Sequence, residues 1–228
     1  MKICIAVLFC VVCLSTYSFA IDPLFLERVK STGQCKECNF EKADLKGADF
    51  REVNLDGSNF SGADLTGARF IDCGECNFSG SNLAVADMGK ASLDEAIFNG
   101  ANLTSATCKD AYIHHAEFMN ANLSGADMKR ATLDKGNFKG ANLSNTDFTG
   151  AKLNKADLRN ATLKGANFSF AELKGADLRG TNLEGAVFKG AAMNGVSIKG
   201  VIWKGADLSG ADLRDFGTTS PVSQMILT

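Results

Sequence analysis

From Phe78 to Leu213 a large apolar residue returns at every fifth position: Phe78, Leu83, Met88, Leu93, Phe98, Leu103, Cys108, Ile113, Phe118, Leu123 and so on to Trp203, Leu208 and Leu213. An α-helix repeats about every 3.6 residues and a strand every two, so neither keeps such a series on one buried face. The pattern therefore predicts an internal repeat of five residues. The positions around each apolar centre have fixed characters too. Two before it stands alanine (Ala86, Ala91, Ala96, Ala121, Ala126, Ala131), and one before it commonly Asp or Asn (Asp127, Asn142, Asp157, Asp177, Asn182). Two after it glycine is frequent (Gly140, Gly150, Gly165, Gly175). Centre and alanine are expected to face inward and the residue after the centre outward, with glycine at corners where the backbone bends tightly.

Residues twenty apart match better than residues five apart. Phe78, Phe98, Phe118 and Phe138 form one series, Leu83, Leu103, Leu123, Leu143, Leu163 and Leu183 a second, and Phe148, Phe168 and Phe188 a third. The motif A-[DN]-L-x-x, in about three dozen tandem copies, resembles the pentapeptide-repeat family over nearly the whole chain beyond the N-terminal segment. That resemblance implies an all-β fold, a right-handed quadrilateral β-helix in which each pentapeptide makes one side and four make a coil. Coils would lie one strand spacing apart, about 4.8 Å, so like side chains would stack as ladders inside the tube.

A shorter run with the same step precedes the main one: Cys35, Phe40, Leu45, Phe50, Leu55, Phe60, Leu65, Phe70. The next centre, Cys73, follows after three residues instead of five. Counting that short step as one side brings Phe40 and Phe60 into line with Phe78, and Leu45 and Leu65 with Leu83. The expectation is one continuous tube with a two-residue deletion at a corner near Asp72. Residues 35–215 would make about nine coils and a rod roughly 43 Å long.

The ends read differently. Lys2, the apolar run Ile3 to Leu14, and small Ser18 and Ala20 have the layout of a secretory signal over residues 1–20, cleaved after Ala20. Asp22-Pro23 followed by Leu24, Phe25, Leu26 and Val29 predicts a short helix over roughly Pro23 to Lys30 within a capping segment, residues 21–34, that covers the open end of the stack. Residues 216–228 lose the register and read as a terminal cap or tail.

Composition narrows the picture. Basic and acidic side chains number 24 and 26, which argues against a general nucleic-acid or membrane-surface binder, and an apolar share of 45% suffices for a core. Of eight cysteines, Cys4, Cys10 and Cys13 would leave with the signal. Two matched sets remain, Cys35-Lys-Glu-Cys38 and Cys73-Gly-Glu-Cys76, with a lone Cys108. In each set one cysteine is a centre and the other takes the next alanine position, so both point inward across one corner. In an oxidising compartment they are candidates for local Cys35–Cys38 and Cys73–Cys76 disulfides; the competing account makes them small buried residues. A shared zinc is disfavoured because the pairs would lie two coils apart, about 10 Å. A thioredoxin-like pair would need an exposed, activated thiolate. Cys108 is expected to be an inert core thiol.

On the outside, Lys139, Arg159, Arg179 and Lys199 follow four consecutive centres of one side and would form a basic stripe able to bind a polyanion, although Asp157 and Asp177 stand ready to neutralise part of it. The coil from Thr107 to Met119, with Tyr112, His114, His115 and Glu117, departs most from the repeat and is a candidate contact site. Asn-x-Ser/Thr triplets at Asn59, Asn77, Asn102, Asn122 and Asn142 arise automatically from the repeat. The expected function is an exported, non-enzymatic scaffold whose flat faces bind a protein or an envelope component, with no cofactor, metal or small-molecule substrate. Family resemblance supplies one alternative, a DNA-mimicking partner of type II topoisomerases, which would call for a strongly acidic cytoplasmic chain. A polyanion binder and a thiol oxidoreductase are the others.

Overall fold

A computed structural model describes residues 19–20 and 23–215; the expected signal, but for Phe19 and Ala20, and the expected C-terminal cap lie outside them. The regular elements are β1 (Phe19–Ala20), α1 (Pro23–Thr32), β2 (Ala43–Asp44), β3 (Asp49–Asn54) and β4 (Arg69–Asp72). Beyond them the chain is a succession of short extended stretches and corners, five residues to a period, joined by parallel bridges.

Bridge register shows the coil directly. Asn82 pairs with Asn102, Asn102 with Asn122 and Asn122 with Asn142, always twenty residues on and always parallel. Four such columns run along the tube, and each defines a side named here by its central ladder. The first carries Phe98, Phe118 and Phe138, the second Leu103 and Leu123, the third Cys108 and Met128, and the fourth Ile113 and Leu133. Between Phe40 and Val196 the centres and alanines are buried, Ala48 excepted, with Phe118 at 0% exposure and Ala121 at 1%. Phenylalanines stack along the axis: ring centroids of Phe98 and Phe118 lie 4.8 Å apart, and those of Phe118 and Phe138 4.7 Å apart at an interplanar angle of 3°. On the third side Phe148, Phe168 and Phe188 repeat the arrangement at 4.8 and 4.9 Å. Ser58, Ser81, Thr146 and Thr181 replace alanine at inward positions. Each donates its hydroxyl to a backbone carbonyl at 2.7–2.8 Å, so all four buried hydroxyls are paired.

The early run belongs to the same tube. Asn39 pairs with Asn59 and Asn59 with Asn77, which puts Phe40, Phe60 and Phe78 in one ladder. In the strand pair, Phe50 answers Phe70 and Asn54 answers Asp72, so Arg51, Glu52 and Val53 face Ile71 alone. The two missing residues are the corner pair that would otherwise follow Phe70.

Helix α1 extends to Thr32, two residues past the expected Lys30, and ends where Gly33, at φ 65, donates its N–H to the Val29 carbonyl at 3.0 Å. Val29 joins the core. Phe19 and Ala20 form a parallel pair with Ala43 and Asp44, so cleavage after Ala20 would remove β1 and free that edge. At the other end the core thins, and Ile198, Trp203, Leu208 and Leu213 are only partly buried.

Candidate functional site

Which outward side chains are free to meet a partner depends on how many the backbone already uses. In the repeat 121–125 the N–H of Ala121 bonds to the Phe118 carbonyl, those of Asn122, Leu123 and Gly125 to carbonyls of neighbouring coils, and that of Ser124 finds no carbonyl. It donates instead to Oδ1 of Asn122 at 3.2 Å. The Asp or Asn before each centre is thus a structural acceptor, closing an Asx turn. In some repeats where another residue stands there, an acceptor one coil earlier takes over: Asp94 receives the His114 N–H at 2.8 Å behind Tyr112, and Asp134 the Asn154 N–H at 2.8 Å behind Lys152. Replacing Asp134 by Ala leaves that part-buried N–H unpaired and is expected to cost about 1 kcal/mol in urea unfolding, whereas Asp134→Asn, which keeps an acceptor, costs less.

The cysteine pairs lie at one corner, between the fourth side and the first. Cα separations are 5.5 Å for Cys35 and Cys38 and 5.4 Å for Cys73 and Cys76, with the sulfurs at disulfide distance in both. The pairings Gln34–Asn54 and Asn54–Asp72 set the pairs two coils apart, out of reach of one tetrahedral ion. Ser58 lies between them, donating to the Cys35 carbonyl at 2.8 Å and accepting the Cys38 N–H at 3.1 Å. Cys73 and Cys76 are fully buried and Cys38 is partly exposed near the end of the tube. Cys108 is a buried free thiol that burial, aided by Asp127 and Asp87, pushes up to about 12. Iodoacetamide applied to native protein should leave Cys108 unmodified by mass spectrometry and label it after denaturation.

Lys139, Arg159, Arg179 and Lys199 fall on one side in successive coils, as the register Asn137–Asp157–Asp177–Ser197 requires. Two of the four are committed. Arg159 Nε lies 2.8 Å from Asp157 Oδ1 and 3.7 Å from Asp177, and Arg179 Nε lies 2.8 Å from Asp177 Oδ1. The Arg159 and Arg179 hydrogen bonds hold the carboxyls of Asp157 and Asp177 below the usual range, against the opposing effect of burial. The other two of the four, Lys139 and Lys199, make no ion pair with the described residues. The basic stripe is therefore half neutralised.

In the Thr107–Met119 coil, Tyr112 is 57% exposed on the fourth side, His115 is exposed at the following corner, and His114 and Glu117 are half-buried. The other exposed large apolar side chains, Val85, Phe170 and Ile202, fall on different sides or corners and form no common patch with Tyr112. Val85 and Phe170 occupy corners at φ 52 and 59, unusual for such side chains, and nothing in the structure explains their choice. Reading single residues missed a segregation of charge along the fourth side, with carboxylates before Tyr112 and lysines after it. Taking every twentieth residue would have exposed it.

The pentapeptide repeat region family matches residues 91–168, and the family of pentapeptide repeats in eight copies matches 34–70, 71–107 and 166–202. No curated protein matches the chain. Among solved structures, HetL, a pentapeptide repeat protein involved in heterocyst differentiation regulation from Nostoc sp. strain PCC 7120, is 27% identical over 84% of this chain and 97% of its own, with a TM-score of 0.29. Rfr23 from Cyanothece 51142 is 22% identical over 78% and 96%, with a TM-score of 0.41. Full-length QnrB1, a plasmid-mediated fluoroquinolone resistance protein, is 23% identical over 84% and 96%, with a TM-score of 0.42. These superpositions are too loose to add to the sequence matches, which together run from residue 34 to residue 202. The chain belongs to the pentapeptide-repeat family.

Proposed function

We propose that this protein is an exported, non-enzymatic scaffold: a right-handed β-helix of about nine coils whose flat sides bind a protein or envelope component outside the cytoplasm. The supporting observation is how the side chains are used. Inward positions fill the lumen, and much of the outward polar set is spent on turn acceptors and ion pairs. What remains for a partner is a set of flat strand surfaces of the kind solenoids present. Export is supported by the layout of residues 1–20, and oxidation of the Cys35–Cys38 and Cys73–Cys76 pairs would follow from it.

Two measurements test the reading. N-terminal sequencing of protein recovered from the producing cells should begin at Ile21, and retention of Met1 would contradict export. Pull-down from an extracytoplasmic extract should retain a partner. Turnover of any substrate that disappears when one surface residue is changed would overturn the non-enzymatic assignment. Polyanion binding through the stripe is the weaker reading, because Arg159 and Arg179 are already paired.

A further inference from the structure

On the first three sides many opposite charges satisfy one another within the side. Lys129 reaches Asp147 at 3.0 Å, Arg130 reaches Asp110 at 2.7 Å, Lys164 reaches Glu184 at 3.4 Å, and Arg159 and Arg179 are paired as described. The fourth side is arranged differently. Its coils before Tyr112 carry Glu37, Asp56, Asp72, Glu75, Asp94 and Glu95 against the single Lys36. Its next three coils carry Lys135, Lys152, Lys155 and Lys174 against Asp134 and Glu172. Among the described residues, Lys36–Asp56 at 3.2 Å and Arg214–Asp212 at 2.6 Å, near the two ends, are the ion pairs of this side; the four lysines have none.

The two charged regions are placed symmetrically about Tyr112. Bridges Asp72–Ser92–Tyr112 count two coils on one flank, and Tyr112–Thr132–Lys152 count two on the other. We propose that the fourth side is a self-association surface on which a second copy of this chain packs antiparallel, about a two-fold axis crossing the tube at Tyr112. Such an axis keeps each column of the repeat opposite itself. Asp72 of one copy then faces Lys152 of the other, Glu75 faces Lys155, Glu95 faces Lys135, and Asp56 faces Lys174. Each of these contacts occurs twice, as an isologous interface requires. Tyr112, 57% exposed, meets its own counterpart at the centre, where an aromatic anchor contributes most. The like-charge contact, Asp94 against Asp134, joins two half-buried carboxylates already bound to backbone N–H groups.

The surface spans about seven coils, roughly 34 Å, and is one side wide. That places the dimer among small interfaces, under about 1,200 Å² in total, whose stability leans on charge and falls with salt.

Sedimentation velocity on the purified protein is the test. Dimer is expected at low ionic strength and monomer at about 1 M salt, where screening acts over roughly 3 Å. Lys152→Glu/Lys155→Glu and Asp72→Lys/Glu75→Lys should each be monomeric at low ionic strength, with self-association at least tenfold weaker than that of the unmodified chain. An equimolar mixture of the two should dimerise again, because positions 72, 75, 152 and 155, all acidic in one variant, then meet the same positions, all basic, in the other; misfolded variants would not recover on mixing. A chain that stays monomeric at low ionic strength, charge variants that dimerise undiminished, or a mixture that stays monomeric would overturn the proposal.

Discussion

Ala121→Asp is expected to abolish folding of the coils around it. Ala121 is 1% exposed and sits one strand spacing from Ala101 and Ala141 in the adjacent coils, between the Phe118 and Leu123 ladders. A carboxylate there has apolar neighbours and no partner, and burying an unpaired charge costs several kcal/mol even after relaxation. Ionised or protonated, the group also overfills a site shaped for one methyl. The combined penalty, above about 5 kcal/mol, is comparable to the whole stability of a typical domain. Because coils are stabilised by their neighbours, the damage spreads from the substituted one. Asn120→Asp introduces the same charge one residue earlier on an exposed corner, and should shift stability by no more than about 0.5 kcal/mol. Circular dichroism melts of both variants provide the comparison, and a folded, cooperative Ala121→Asp protein would contradict the assignment of a closed lumen.

Phe118→Ala should be the next most damaging change, at about 3–5 kcal/mol in urea unfolding. The ring is wholly buried and stacked on both faces, by Phe98 at 4.8 Å and Phe138 at 4.7 Å, so its removal opens a gap that fixed coils cannot collapse to fill. Phe118→Leu should cost clearly less, since Leu158 and Leu178 fill the same ladder farther along. A loss under about 1 kcal/mol for Phe118→Ala would mean that the ring is not in the core.

Much of this architecture is written in spacing, because a tube filled by one large and one small side chain per corner leaves no other way to repeat. The ladders, the inward cysteines and the short step before Cys73 follow from counting, and the Asp157–Arg159 and Asp177–Arg179 pairs follow from adjacency. Other features depend on relations between coils. That Asp134 serves the N–H of Asn154 requires knowing that Lys152 cannot close its own turn. Corners at Val85 and Phe170 adopt positive φ against residue preference, since the tube's geometry overrides the local cost. The helix passes Lys30 because Gly33, rather than the end of the apolar spacing, supplies its stop. The fourth side's charge separation stayed hidden for the same reason, appearing only when residues are grouped by coil.

The most direct test of the twenty-residue coil is a crosslink between outward positions. Asn142 and Thr162 are bridged neighbours in adjacent coils, whereas Asn142 and Asp147 belong to different sides of the tube. With cysteines introduced at 142 and 162, dibromobimane, whose reach suits one strand spacing of about 4.8 Å, should join the two thiols and become fluorescent. With cysteines at 142 and 147 it should not. Crosslinking of the nearer pair in sequence, with none between 142 and 162, would contradict the account.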